Sequence, residues 1–210
     1  MMTFYDCATA PSPRRARMVI AEKRVDVARV EIDLRNGEHF SPEFQAINPR
    51  CTVPVLVTEE GEALCDNAAI VRYLEALYPD PPLLGRSPLE QARTAEWVWR
   101  VESEGLMAIM EVLRNSSKAL KDRALPGPDP VPQIPELAER GRARGQRFFS
   151  VMDERLRQTP WLAGDAFSFA DISALVFVDF AGWVKMEPEP GLDALKAWRE
   201  ACRARPSGQV

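Results

Sequence analysis

The sequence predicts an α/β domain followed by an all-helical one, and three observations carry that expectation. Residues 1–80 alternate short strand-like runs with helical periodicity. The turn-rich stretch Asp80-Pro81-Pro82-Leu83-Leu84-Gly85 then ends the strand signals, and everything beyond it places apolar residues at helical spacing.

Thr3-Phe4-Tyr5 reads as a short buried strand. Ala10-Pro11-Ser12-Pro13 is a turn feeding a helix with Pro13 near its first position, where a proline forfeits no helical hydrogen bond. From Arg14 onward, Met18, Val19, Ala21 and Val25 recur at helical spacing with Arg and Glu on the other face. Residues 27–34 set Val27, Val30, Ile32 and Leu34 against Arg29, Glu31 and Asp33, which predicts a half-buried strand paired in parallel with the first through the helical crossover. Pro54 has no N–H for a ladder, so it starts a strand over 54–58 and leaves the Val53 N–H and carbonyl to pair outside the sheet. A cis Val53–Pro54 bond there makes a fixed backbone edge for a peptide-like ligand. A turn at Gly61 and a strand over 62–64 complete an antiparallel hairpin, and 66–77 form a helix that stops before Pro79. The order β-α-β then β-β-α is that of a thioredoxin-like domain, expected over residues 1–80, with a linker at 81–87 and an all-α helical-bundle domain over 88–210.

In that second domain helical spacing runs over 88–123 and again over 136–157. The proline-dense segment 126–135 between them reads as an extended connector. Ser168 and Asp171 have capping-box spacing, with Phe167 and Ile172 as the hydrophobic staple, so both polar residues are assigned to folding. The run 172–184 is apolar nearly all round, which predicts a central helix.

With 46% hydrophobic residues the 210-residue chain can build a real core. A formal charge of −4 and scattered arginines argue against a nucleic-acid partner. No apolar run reads as a signal peptide or membrane span, so a cytoplasmic protein is expected, with no membrane partner. Cys7, Cys51, Cys65 and Cys202 lack paired spacing and His39 is the only histidine, so reduced thiols and no metal site are expected.

Two stretches together resemble a known family. Asn48-Pro49-Arg50-Cys51-Thr52-Val53-Pro54-Val55-Leu56 is followed by Asp66-Asn67-Ala68-Ala69-Ile70-Val71-Arg72-Tyr73-Leu74, a pairing and spacing similar to the cytosolic glutathione transferases. The likeness extends upstream through residues 37–44 and downstream to 167–172, and so covers most of the chain. It carries bacterial-type features that are nu-like and delta/theta-like.

The resemblance implies a set of site residues. Val53, before Pro54, exchanges backbone hydrogen bonds with the cysteinyl part of glutathione. Asn67 and the open N–H groups of its helix end bind the γ-glutamyl carboxylate, and Asp66 faces the amine. Family members more often have serine where Asn67 stands. His39, in Gly37-Glu38-His39-Phe40-Ser41-Pro42-Glu43-Phe44, and Arg50 are candidates for the glycine carboxylate; each has a plain alternative, packing for His39 and solvation for Arg50. A thiol with a pKa of about 8.5 is only slightly ionised at neutral pH, so a hydroxyl donor at the first helix mouth raises its reactive fraction. Ser12 is the catalytic candidate, since 10–13 is similar to the Ala-Pro-Thr-Pro loop of nu-class members; a simple N-cap is its other reading. Thr9 is a second candidate, Tyr5 lies too early in the strand, and Pro11 stands where the serine classes carry their hydroxyl. Cys7 is either a structural thiol or, as in redox relatives of the fold, a site of mixed disulfide formation. Met107, Met110 and Arg114, with Glu111, share one helix face and are the candidate lining for an apolar substrate.

The resemblance thus implies a transferase that conjugates glutathione to small hydrophobic electrophiles, with no cofactor beyond glutathione as co-substrate. The family implies a homodimer, with Arg72, Tyr73 and residues 90–99 as contacts. Two alternatives stand: a glutathione-dependent disulfide-bond or peroxide reductase, and a non-catalytic binding module on the same fold.

Overall fold

The computed structural model describes residues 1–210, which fall into two compact units. The first comprises Met1–Pro81 with Pro126–Asp129 and Val210, and the second Pro82–Leu125 with Pro130–Gln209.

The first unit runs β1 (Thr3–Asp6), α1 (Pro11–Lys23), β2 (Ala28–Glu31), α2 (Pro42–Ile47), β3 (Val55–Val57), β4 (Ala63–Leu64) and α3 (Asn67–Leu77). Its sheet has the order β2-β1-β3-β4, with β1 and β2 parallel and the other pairs antiparallel. This is the thioredoxin-like arrangement. Phe4 lies opposite Leu56 and Tyr5 opposite Val55, and the alternation of a strand sends the two pairs to opposite faces. Phe4 and Leu56 are fully buried, as are Met18 and Val19 of α1 and Ile70, Val71 and Leu74 of α3. The other face holds Ile32, Phe44 and Val55, flanked by Tyr5, Val53 and Cys65. Lys23, buried at the end of α1, meets Glu75 at 2.6 Å and donates to the carbonyls of Tyr78 and Pro81, closing the C-terminal end of α3.

Strand β2 departs from expectation. It spans four residues rather than 27–34, and all four are exposed. An edge strand needs no buried face of its own, and Val25 and Ile32 on either side of it supply the anchors instead. Segment 42–47, read from sequence only as part of a motif, is the helix α2, capped by Ser41 through Phe44 N–H.

The second unit contains α4 (Pro88–Arg100), α5 (Met107–Ser116), α6 (Pro135–Leu156), α7 (Phe169–Ala181) and α8 (Asp193–Arg203). The helix expected over 88–123 ends at Ser116 and is widened at Val101–Leu106 into a π-type turn. A side-chain carbon added to Gly105 in that turn comes within 3.1 Å of both Phe148 and Phe177, so the glycine lets the aromatic core close around it. Every residue of α7 except Asp179 is buried, which fits its apolar run. Ser168 and Asp171 form the capping box, and Asp171 also accepts from Leu162 N–H and Trp198 Nε1, at 3.0 and 2.9 Å. Burial pushes the Asp171 carboxyl up, against the pull of these donors. No helix is long and apolar enough to cross a membrane.

Candidate active site

The first unit places two helix N-termini together, those of α1 and α3. What leads into the first is fixed by charge. Asp6 ends β1 on the face that carries Phe4 and is completely buried; its carboxylate meets Arg17 at 2.6 Å and Arg29 at 2.7 Å and accepts from Cys7 N–H at 2.7 Å. Arg17 also donates to the carbonyls of Cys7 and Ala8, while Glu31 of β2 accepts from Ala8 N–H at 2.6 Å. A buried carboxylate is tolerable only when so paired. One consequence is that the backbone of Cys7 and Ala8 is held from α1 and β2 together. Cys7 is buried, its sulfur 3.5 Å from the Thr9 hydroxyl.

Helix α1 begins one proline earlier than the sequence suggested. Ala10 is the N-cap and Pro11 the first helical residue, so Ser12 lies inside the first turn and is not the cap. Both Pro11 and Pro13 lack an N–H, and the Arg14 N–H bonds to the Ala10 carbonyl. Ser12 therefore supplies the one main-chain donor left open in the first turn, together with its hydroxyl.

At the mouth of α3, exposed Asp66 is the N-cap and accepts from Ala69 N–H at 2.9 Å. The N–H groups of Asn67 and Ala68 are left for a ligand, at the positive end of an 11-residue helix. Asn67 is 4% exposed, and its amide nitrogen lies 3.1 Å from the Ser12 carbonyl oxygen and 3.0 Å from the Ser12 hydroxyl. Its side-chain NH2 is thus turned to Ser12. The backbone donors of α3 remain open to a ligand.

Val53 precedes β3, and the Val53–Pro54 bond is cis. No backbone hydrogen bond within the chain engages the Val53 N–H or carbonyl. Arg50 is exposed, in a turn where Asn48 binds its N–H and the Thr52 carbonyl. Its charge reaches Cys65: burial pushes that thiol up, Arg50 pulls partly against it, and Asp66 adds to the rise. His39 sits in the short turn Glu38–Phe40, its ring centroid 3.9 Å from that of Phe40. The structure joins Ser12 directly to Asn67, while His39 and Arg50 stand on separate turns.

In the second unit Met107, Met110 and Arg114 lie on α5, Met107 exposed and the other two half-buried. Arg114 donates to the Arg123 carbonyl at 2.8 Å, and Glu111 pairs with Arg140 and Arg144 of α6. Half of this face thus holds α5 to its neighbours. Asp6, Arg17, Arg29 and Glu31 were missed by sequence reasoning. Charged residues at a strand end and on a helix read as a solvated face until the fold brings them together.

The family model described as Glutathione S-transferase, N-terminal domain, matches residues 9–77, and that described as Glutathione S-transferase, C-terminal domain, matches 106–206. The chain is 35% identical to Glutathione S-transferase 2 of Saccharomyces cerevisiae over 98% of this chain and 87% of that protein. It is 29% identical to Disulfide-bond oxidoreductase YfcG of Escherichia coli over 95% of this chain and 89% of that one. The crystal structure of a glutathione S-transferase domain-containing protein from Marinobacter aquaeolei superposes with a TM-score of 0.90 at 33% identity, covering 98% of both chains. With two family models spanning most of its length on a fold of matching architecture, the chain belongs to the glutathione S-transferase family.

Proposed function

We propose that the chain is a glutathione transferase acting on small hydrophobic electrophiles. The observation that carries the site assignment is the Ser12–Asn67 contact, which couples a hydroxyl in one helix mouth to a second mouth with open N–H donors. Residues 1–80 form the glutathione-binding domain, joined through 81–87 to the helical domain over 88–210. The Asn67 and Ala68 N–H groups take the γ-glutamyl carboxylate, and Asp66 faces the ammonium with its carboxylate. Val53 pairs with the cysteinyl backbone, while Arg50 and His39 meet the glycine carboxylate.

Ser12 donates to the sulfur. The thiol proton leaves to solvent, the sulfur electron pair attacks the electrophilic carbon, and the leaving group departs with its bonding pair. The protein's contribution is orientation and stabilisation of the anion. Met107, Met110 and Arg114 contribute to the electrophile side, and the protein works as a cytoplasmic homodimer through Arg72, Tyr73 and residues 90–99. The likeness to a disulfide-bond oxidoreductase makes a glutathione-dependent reductase the second reading. Against it, Cys7, the thiol assigned to that reading, is buried and is followed by Ala8, Thr9 and Ala10 with no second cysteine nearby in sequence.

Calorimetric titration with reduced and, separately, oxidised glutathione tests the reading, alongside turnover of an aryl halide. The transferase binds the reduced form more tightly and releases halide. Ser12→Ala raises the bound thiol's pKa by about one to two units, since a hydrogen bond to a charged group contributes about 1.5–3 kcal/mol. Tighter binding of the oxidised form with no halide release establishes the reductase instead.

A further inference from the structure

We infer that Asn67 is a positioning residue for the thiolate: its amide holds the Ser12 hydroxyl so that the hydroxyl proton is presented to the glutathione sulfur. The inference rests on the transferase reading above and gives Asn67 a task that a residue binding only the γ-glutamyl carboxylate does not have.

Three observations lead to it. First, the orientation of the amide is decided by chemistry. The Ser12 carbonyl oxygen can only accept, and it lies 3.1 Å from Nδ2, so the NH2 end faces Ser12 and Oδ1 faces away. Second, the same NH2 donates to the Ser12 hydroxyl oxygen at 3.0 Å. A serine hydroxyl has one hydrogen and two lone pairs; with a lone pair occupied by Asn67, its hydrogen is free to be donated, and no acceptor within the chain takes it. Accepting one hydrogen bond also polarises the O–H for the next. Third, the main chain concentrates donors at this point, because Pro11 and Pro13 flank Ser12 and have no N–H. A sulfur seated at the mouth of α1 meets the Ser12 N–H and the Ser12 O–H and no competing main-chain donor from either neighbour.

Asn67 Oδ1 completes the picture. It is buried and makes no hydrogen bond. The amide's engaged end is therefore its NH2, and that end is committed to Ser12.

Ultraviolet absorbance of the bound thiolate against pH tests this on wild type, Ser12→Ala, Asn67→Ser and the charge-neutral double variant Ser12→Ala/Asn67→Ser, with glutathione affinity measured in parallel. Asn67→Ser keeps the backbone donors and is too short to reach Ser12. Each single variant is expected to raise the bound thiol's pKa by about one to two units, which lowers the thiolate-to-thiol ratio at least about tenfold. The double variant then falls no further than Ser12→Ala alone, because both changes remove the same donor. If Asn67→Ser weakens glutathione binding and leaves the thiol pKa at its wild-type value, or if the double variant shows the sum of the two losses, the inference is overturned while the transferase reading stands. An unchanged thiol pKa in Ser12→Ala overturns the inference together with the Ser12 assignment, whereas failure of the wild type to bind glutathione or to release halide brings down the transferase reading itself.

Discussion

Asp6 anchors the backbone that leads into the mouth of α1, the candidate site. It is fully buried, and two arginines and a backbone N–H surround its carboxylate. Arg17 is the stricter partner, 11% exposed at its side chain, and it alone also holds the carbonyls of Cys7 and Ala8. Removing one partner of a buried pair leaves an uncompensated charge, so Arg17→Met is expected to cost about 3–5 kcal/mol in urea unfolding. Arg17→Lys keeps the charge and lacks the planar fork that spans a carboxylate and two carbonyls, so it recovers only part of the loss. A loss under about 1 kcal/mol in Arg17→Met means that Arg29 alone balances Asp6. Short motifs with fixed spacing single out Ser12, Val53 and Asn67 as candidates in the sequence. The Asp6 network is not legible there, because Arg17 and Arg29 come from different elements and no local pattern distinguishes them from solvated charges. The Ser12–Asn67 bond, which spans 55 positions, was hidden for the same reason.

Elements were legible where one local rule governs them. The α7 cap, the Pro54 strand start and the α3 N-terminus are each set by a few adjacent residues and their side-chain chemistry. The end of α5 at Ser116 and the edge position of β2 are tertiary matters, decided by what lies alongside. Packing of α5 on α6 shows how far tertiary demands override propensity. A side-chain carbon added at Gly141 of α6 stands 2.5 Å from the Ala108 carbonyl oxygen and 3.0 Å from Glu111 Cβ, both on α5. Helix propensity alone favours alanine over glycine by about 1 kcal/mol. Relieving the clash requires backbone movement, since a carbonyl oxygen cannot rotate away, and overpacking of this kind costs about 1–3 kcal/mol. The two helices are further clamped by Glu111 with Arg140 and Arg144, at 2.7 and 3.1 Å, which resists that movement. Gly141→Ala is therefore expected to lower the urea midpoint despite its better propensity. A raised midpoint shows that the helices slide freely enough for propensity to win.

At the scale of the whole molecule, the natural reporters of the two units do not overlap. All five tryptophans (Trp97, Trp99, Trp161, Trp183 and Trp198) belong to the second unit, and Tyr5, Tyr73 and Tyr78 to the first. Tryptophan fluorescence is consequently blind to direct opening of the unit that carries the candidate glutathione site. The cysteines provide what it lacks: Cys51, 2% exposed, lies beside Arg50 in the first unit, and Cys202, 0% exposed, lies on α8 in the second. S-methylglutathione occupies a glutathione site and carries no free thiol to consume an alkylating label. At about 100 times its Kd, a ligand that binds only the native state stabilises it by about 2.7 kcal/mol, which is a population shift of about a hundredfold. Where opening and closing are fast relative to labelling, the label follows that population, so Cys51 is expected to react about a hundredfold more slowly with ligand than without. Local opening of the Asn48–Cys51 turn does not escape this protection, because Arg50 and Val53, on either side of Cys51, are the residues assigned to the ligand. Peptide-resolved mass spectrometry reads Cys51 and Cys202 in the same sample. A Cys51 rate unaffected by saturating ligand rejects the placement of the glutathione site in the first unit. The ratio of the two protections then measures how much of α8's core opens in the same event as the unit that binds.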